Sequence, residues 1–183
     1  MEQIHNIIIV GDLFPTQENV SFFSEGDIDS LFGKDIVNLF AQSDYRVCNL
    51  EGALTDCPDK IRKTGPVKVA VTSAIAAYKK LGIDCCMLAN NHATDGGHQG
   101  LVDTMNTLDD AGINYIGAGK NEKEIVRSFV KELGGMRIGF YNVSETMYNK
   151  PTKDKAGAWL YDEYIVCREL EQLKKECDYL IVI

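Results

Sequence analysis

Four polar residues in this sequence share a position and a chemistry. Asp12 follows the apolar run Ile7–Val10 through Gly11. Glu51 follows Tyr45–Cys48 through Asn49 and Leu50, and Asn91 and His92 follow Cys85–Ala89 through Asn90. Carboxylate oxygens, an amide oxygen and an imidazole nitrogen form the mixed donor set that Mn, Fe or Zn accept. Such an ion activates water and steadies the leaving oxygen of a phosphoester, and a carboxylate can bridge two ions. Asp12, Glu51, Asn91 and His92 are therefore the candidate residues of a metal centre. A histidine beside such a site, as His92 would be, can also serve as a general acid, because imidazole as a residue type exchanges protons near neutral pH. Asp95 joins it as a candidate catalytic partner, and His98 stands near enough in sequence to support the same ring. Each residue alone has a plainer reading. Gly-Asp is commonly a turn, Asn-Asn tolerates left-handed backbone, and Thr94 or Asp95 can cap a helix. Repetition at three strand ends favours the shared site.

Two further residues are candidate substrate contacts. Lys63, in Arg62-Lys-Thr-Gly-Pro66, lies in a loop after a strand end and suits an anionic group. Asn142 ends another apolar run, with Ser144 and Glu145 beside it. The glycine-rich Gly117-Ala-Gly-Lys-Asn121 lacks the spacing of a phosphate-binding loop and reads as a strand-to-helix turn.

The elements that must position these residues alternate. Strands are expected at Asn6–Val10, Tyr45–Leu50, Asp84–Ala89, Asn114–Gly117, Phe129–Leu133, Met136–Val143 and Tyr179–Ile183, as short apolar runs bounded by turn residues. Helices are expected at Ile28–Gln42, Ser73–Leu81, Gly97–Ala111, Lys123–Ser128 and Asp162–Cys177. Alternation of this kind predicts a layered α/β fold with a largely parallel sheet. Gly134-Gly135 predicts a tight hairpin, so the sheet arrangement is mixed. Carboxyl ends of parallel strands share one edge, where ligands bind. That edge is what would gather Asp12, Glu51, Asn91 and His92. Three stretches read as irregular: Leu13–Asp27, Asp56–Val71 and Ser144–Ala158.

The chain has 183 residues, 45% hydrophobic and 25% charged, which suits a single globular domain spanning 1–183. A net charge of −8 argues against a nucleic-acid partner. No apolar run approaches the ~18 residues of a membrane span. Met1–Val10 lacks the basic start and cleavage site of a signal peptide, so a cytoplasmic location is expected. The six cysteines form no CxxC pair and read as buried small hydrophobes. The sequence stops inside a strand pattern at Leu180–Ile183. It is therefore expected to be the N-terminal part of a longer domain, with an exposed strand edge open to self-association.

Gly11-Asp12, Asn49-Leu-Glu51 and Ala89-Asn-Asn-His-Ala-Thr-Asp-Gly-Gly97 resemble the bacterial capsule-synthesis CapA family, also called PGA_cap. The likeness extends through Lys63-Thr-Gly-Pro66, Gly100–Thr104, Leu108–Gly112, Gly117–Gly119 and Arg137–Phe140, which is nearly the whole chain. That family is similar to the calcineurin-like metallophosphoesterases. The resemblance implies an αββα sandwich of two mixed, largely parallel sheets with a metal site at the strand ends. It implies that Asp12 is the first metal-binding aspartate and that Glu51 takes the bridging position. It also implies that Asn91 is the metal-binding asparagine and His92 the general acid. The implied activity is hydrolysis of a phosphoester, an anionic polymer or a cell-envelope precursor in capsule or polyglutamate synthesis, with one divalent ion or two. The alternative it leaves open is a non-catalytic accessory or polyglutamate-binding domain. This sequence departs from the phosphoesterase pattern in three ways. Leu13-Phe14 stands where a histidine ligand would, the bridging residue is Glu rather than Asp, and the later histidine motif would fall beyond Ile183.

Overall fold

The computed structural model describes residues 4–57, 61–145 and 149–183. Parts of two irregular stretches named above, 58–60 and 146–148, and the first three residues of the N-terminal segment lie outside them.

The apolar runs become strands at nearly the expected places. β1 spans Ile7–Asp12, β2 Tyr45–Asn49, β5 Cys85–Met87 and β6 Asn114–Ile116. They form one parallel sheet in the order β1-β2-β5-β6. A second sheet has the order β11-β9-β8, with β8 at Ser128–Leu133, β9 at Met136–Tyr141 and β11 at Tyr179–Val182. β8 and β9 are antiparallel across the Gly134-Gly135 turn, where φ is +56° and +81°. β9 and β11 run parallel.

Period-two burial stacks the sheets. Tyr45, Val47, Cys85, Met87 and Ile116 from the first sheet meet Ile138 and Phe140 from the second. Phe129 stacks on Phe140 at 5.0 Å between ring centroids. The alternate residues Cys48, Leu50, Cys86 and Leu88 face the other way, into a core closed by helices. Those helices include α4 (Ile75–Leu81), which supplies Tyr78, and α5 (Gly97–Ala111), which supplies Leu101, Met105 and Leu108. On the far side, α6 (Glu163–Glu176) lays Val166 and Leu173 against Tyr141. The result is the expected helix–sheet–sheet–helix layering.

Several expectations need correction. The helix expected over Ile28–Gln42 is two helices, α2 (Ile28–Phe32) and α3 (Lys34–Ala41), broken at Gly33 with φ +73°. The stretch Leu13–Asp27 is not wholly irregular, since α1 occupies Val20–Glu25. Its Phe23 is buried against Tyr78. No helix forms over Lys123–Ser128. The Asn121 side chain accepts the amides of Lys123 and Glu124, making a turn, and Val126 then bridges Ala118 in extended form. Six residues with β-branched Ile125 and Val126 gain too little from helical bonding to resist this. Short strands also went unread: β3 (Ala53–Leu54) pairs with β4 (Val69–Ala70), and β7 (Ala118–Gly119) with β10 (Gly157–Ala158). Two residues carry too little periodicity to be seen. Of the cysteines, Cys48, Cys85, Cys86 and Cys177 are buried as expected, Cys57 is half-buried, and Cys167 is exposed. Among the described residues, no helix is long and apolar enough to cross a membrane.

Candidate functional site

The carboxyl ends of β1, β2 and β5 lie side by side, and a chain of polar side chains runs across them. Asn49 donates to Asp12 Oδ1 at 2.7 Å. Asn90 donates to Asn49 Oδ1 at 3.0 Å and to the Leu50 carbonyl at 2.9 Å. The Oδ1 of Asn90 accepts the His92 amide at 3.0 Å. Asp12 is thus tied to the His92 segment through two asparagines. The signal for Asn49 was in the sequence: it is the polar third member of the otherwise apolar Tyr45/Val47 face. Asn90 was hidden because one Asn-Asn pair gives no hint which amide turns inward.

His92 is 5% exposed and Asp95 is fully buried. Asp95 Oδ2 lies 2.6 Å from His92 Nδ1. A carboxylate can only accept there, so Nδ1 carries the hydrogen. His92 Nε2 then faces Glu51 Oε1 across 3.7 Å, longer than a hydrogen bond. Asp95 also accepts the Lys68 amide at 2.7 Å. Its Oδ1 has no well-angled hydrogen bond among the described residues; its partner is ionic, the Lys63 ammonium at 2.5 Å. Lys63 Nζ is also 3.1 Å from His92 Nδ1. The Lys68 ammonium pairs with Glu51 Oε2.

The backbone explains why these groups meet. β3 begins two residues after Glu51, and its register places Ala53 opposite Val69. Lys68 therefore sits next to Glu51. The Ala53 amide donates to the Lys68 carbonyl at 3.1 Å. Thr104 of α5 accepts the Leu54 amide at 2.9 Å, which clamps β3 to the helix that follows Asp95. Close approach needs Gly96, where a Cβ would lie 2.9 Å from Thr55 Cγ2 and 3.0 Å from Ala53 Cβ. Tyr78 donates to the Leu13 carbonyl at 2.5 Å and so pins the chain just after Asp12. Burial raises the Tyr78 hydroxyl well above its usual range, which keeps it a donor.

The structure therefore brings Glu51, His92, Asp95 and Lys63 into contact and links Asp12 to them. Asn91 is exposed, and its side chain bonds no other described residue. Lys63 is 11% exposed at its side chain and is held by Asp95, beside the His92 ring, rather than open to solvent. Asn142, expected to face a substrate, is buried inside the fold. Its Oδ1 accepts the Ala89 amide at 2.8 Å and its Nδ2 donates to the Ile183 carbonyl at 3.1 Å. That amide joins the two sheets, and the residue is only 3% exposed. His98 bonds the Ala156 carbonyl at 2.6 Å rather than His92. Asn149, not singled out from the sequence, is fully buried and donates to the Asn90 carbonyl at 2.6 Å. Among the described residues, no three His, Cys, Asp or Glu side chains converge as a metal cluster. The donor types at Asp12, Glu51 and Asn91 suit one oxygen-rich divalent ion, and Asp12 is exposed with only Oδ1 engaged.

Residues 6–183 match the family described as bacterial capsule synthesis protein PGA_cap. This chain belongs to that family. It is 26% identical over 107 residues to the capsule biosynthesis protein CapA of Bacillus anthracis, covering 57% of this chain and 26% of the relative. It is 24% identical over 178 residues to the PGA biosynthesis protein CapA of Bacillus subtilis (strain 168), covering 94% and 46%. The chain thus spans less than half the length of these relatives. In fold it is similar to the NAD nucleotidase of Haemophilus influenzae, with a TM-score of 0.52 and 15% identity, covering 81% of this chain and 26% of that one. At that identity the likeness is one of architecture.

Proposed function

We propose that this chain is the part of a capsule or polyglutamate synthesis protein that hydrolyses a phosphoester, or a related anionic polymer or cell-envelope precursor. A divalent ion, Mn, Fe or Zn, would be held by Asp12 and Glu51, with Asn91 as third donor. Such an ion supplies Lewis acidity toward an anionic group. The carrying observation is the Asp95–His92–Glu51 line. Asp95, 2.6 Å from Nδ1, fixes the ring and its tautomer. Nε2 is left 3.7 Å from Glu51, close to a carboxylate without being bonded to it. In this reading His92 acts in its doubly protonated form: the Nδ1 hydrogen stays on Asp95, a positioning residue, and the Nε2 proton passes to the leaving oxygen. Lys63, beside Nδ1, offsets the charge of Asp95.

A second reading has its own observation. Glu51 and Asp95 are already paired with Lys68 and Lys63, which suits an accessory or polyglutamate-binding domain that keeps the fold without turnover. Metal analysis and hydrolysis of bis(p-nitrophenyl) phosphate with added Mn²⁺ separate the two. The hydrolase reading expects Mn²⁺-dependent turnover that falls about 100-fold in His92→Ala, the usual loss for a general acid, with metal content retained. Loss of metal in that variant overturns the role given to His92. A protein with neither bound ion nor turnover is the accessory domain.

A further inference from the structure

We propose that Lys68 is an internal counter-cation that a divalent ion must displace from Glu51 in order to bind. The inference rests on the metal reading above and adds a residue that sets ion affinity. Oε2 of Glu51 is held by the Lys68 ammonium, while Oε1 faces His92 Nε2 at 3.7 Å without a hydrogen bond. A hard divalent cation binds through carboxylate oxygen, so the ammonium and the ion compete for one group.

The two lysines of the site differ in their freedom to leave. Lys63 is 11% exposed and is held by fully buried Asp95. The Lys68 side chain is 33% exposed, against 13% for Glu51. Its backbone is fixed on both sides, by Asp95 Oδ2 at the amide and by the Ala53 amide at the carbonyl. Only its side chain can move. It also borders an open cavity of about 530 Å³ whose lining includes Phe14, Thr55, Val67 and Val71. The ammonium can therefore swing into hydrated space while Glu51 stays in place. A lysine stem tolerates such a move, since its charged end reaches water while its methylenes rest on apolar surface.

The test uses the whole chain and Mn²⁺ alone. Isothermal titration should show Lys68→Met binding Mn²⁺ about tenfold more tightly than wild type, equivalent to about 1.4 kcal/mol. Lys68→Arg keeps both charge and ion pair and should show no tightening. In the unsubstituted protein, saturating Mn²⁺ should speed acetylation of Lys68 several-fold, read by peptide mass spectrometry, with exposed Lys153 as the unchanged reference. Unchanged or weaker binding by Lys68→Met overturns the displacement. So does a Lys68 labelling rate that Mn²⁺ leaves unaltered, which would mark any tightening as a long-range charge effect. If neither wild type nor Lys68→Met binds Mn²⁺, the metal reading falls together with it.

Discussion

Asp95→Asn keeps the size of a fully buried side chain and removes its charge. The carboxylate serves three partners at once: His92 Nδ1 at 2.6 Å, Lys63 Nζ at 2.5 Å and the Lys68 amide at 2.7 Å. Asparagine offers one acceptor oxygen and one donor amide. If the oxygen keeps the Lys68 amide, the new NH₂ group must face either an ammonium or an imidazole N–H. Lys63 then stands nearly buried without its counter-charge. Breaking a buried ion pair on one side costs about 3–5 kcal/mol. The 11% exposure of the Lys63 side chain lets it relax toward water, which favours the lower end, about 3 kcal/mol. For a domain of this size that corresponds to a melting temperature lower by about 6–12 °C. Urea unfolding should show the midpoint falling with an unchanged slope. In Asp95→Asn/Lys63→Met the stranded charge is gone. The double variant should therefore recover at least about 1 kcal/mol relative to the sum of the single changes. Strict additivity, or a loss below about 0.5 kcal/mol in Asp95→Asn, the range of an ordinary surface change, would refute the argument that Asp95 is the charge centre of this edge.

Two other outcomes follow from groups outside the site. Burial, with Cys48 and Asp84 nearby, pushes the Cys85 thiol up to about 12. Native alkylation at pH 8 should therefore modify exposed Cys167 first and spare Cys85 until denaturant is added; early labelling of Cys85 would contradict its packing between the sheets. Asp178 accepts the Arg137 amide at 2.8 Å and its guanidinium at 3.2 Å, which lowers its pKa below the usual carboxylate range. The folded group gives up its proton more readily than the unfolded one, so its contribution is present above about pH 4 and is lost as pH falls through the lower folded value. Asp178→Asn should flatten the stability profile below about pH 4, and parallel acid curves for the two proteins would show that the contact adds nothing.

The long periodic elements were legible because their signal is local. α5 falls at Gly97–Ala111 as its apolar spacing and glycine boundaries indicate. The strands at Ile7–Asp12 and Tyr45–Asn49 were legible from apolar and β-branched runs ending in turn residues. The misread parts are those where a distant partner decided the local form. Val126 became extended because Ala118 offered a bridge. β3 and β4 are strands only because Ala53 and Leu54 find Val69 and Ala70 far along the chain.

The candidate site divides the same way. Residue type, place after an apolar strand and the family resemblance pointed to Asp12, Glu51 and His92 as candidates, because parallel strands deliver their carboxyl ends to one edge whatever their separation in sequence. Which amide of Asn90-Asn91 turns inward depended on the neighbouring strand: Asn49 and the Leu50 carbonyl capture Asn90, and Asn91 is left at the surface. The placement of Lys68 on Glu51, of Lys63 on Asp95 and of Asn142 between the sheets was likewise decided only in three dimensions. A sequence fixes which charges and donors are available and roughly where each strand ends. Burial and close approach settle which of them pair, because a charge removed from water must find a partner within a few ångströms, and that partner is supplied by chain packing rather than by sequence proximity.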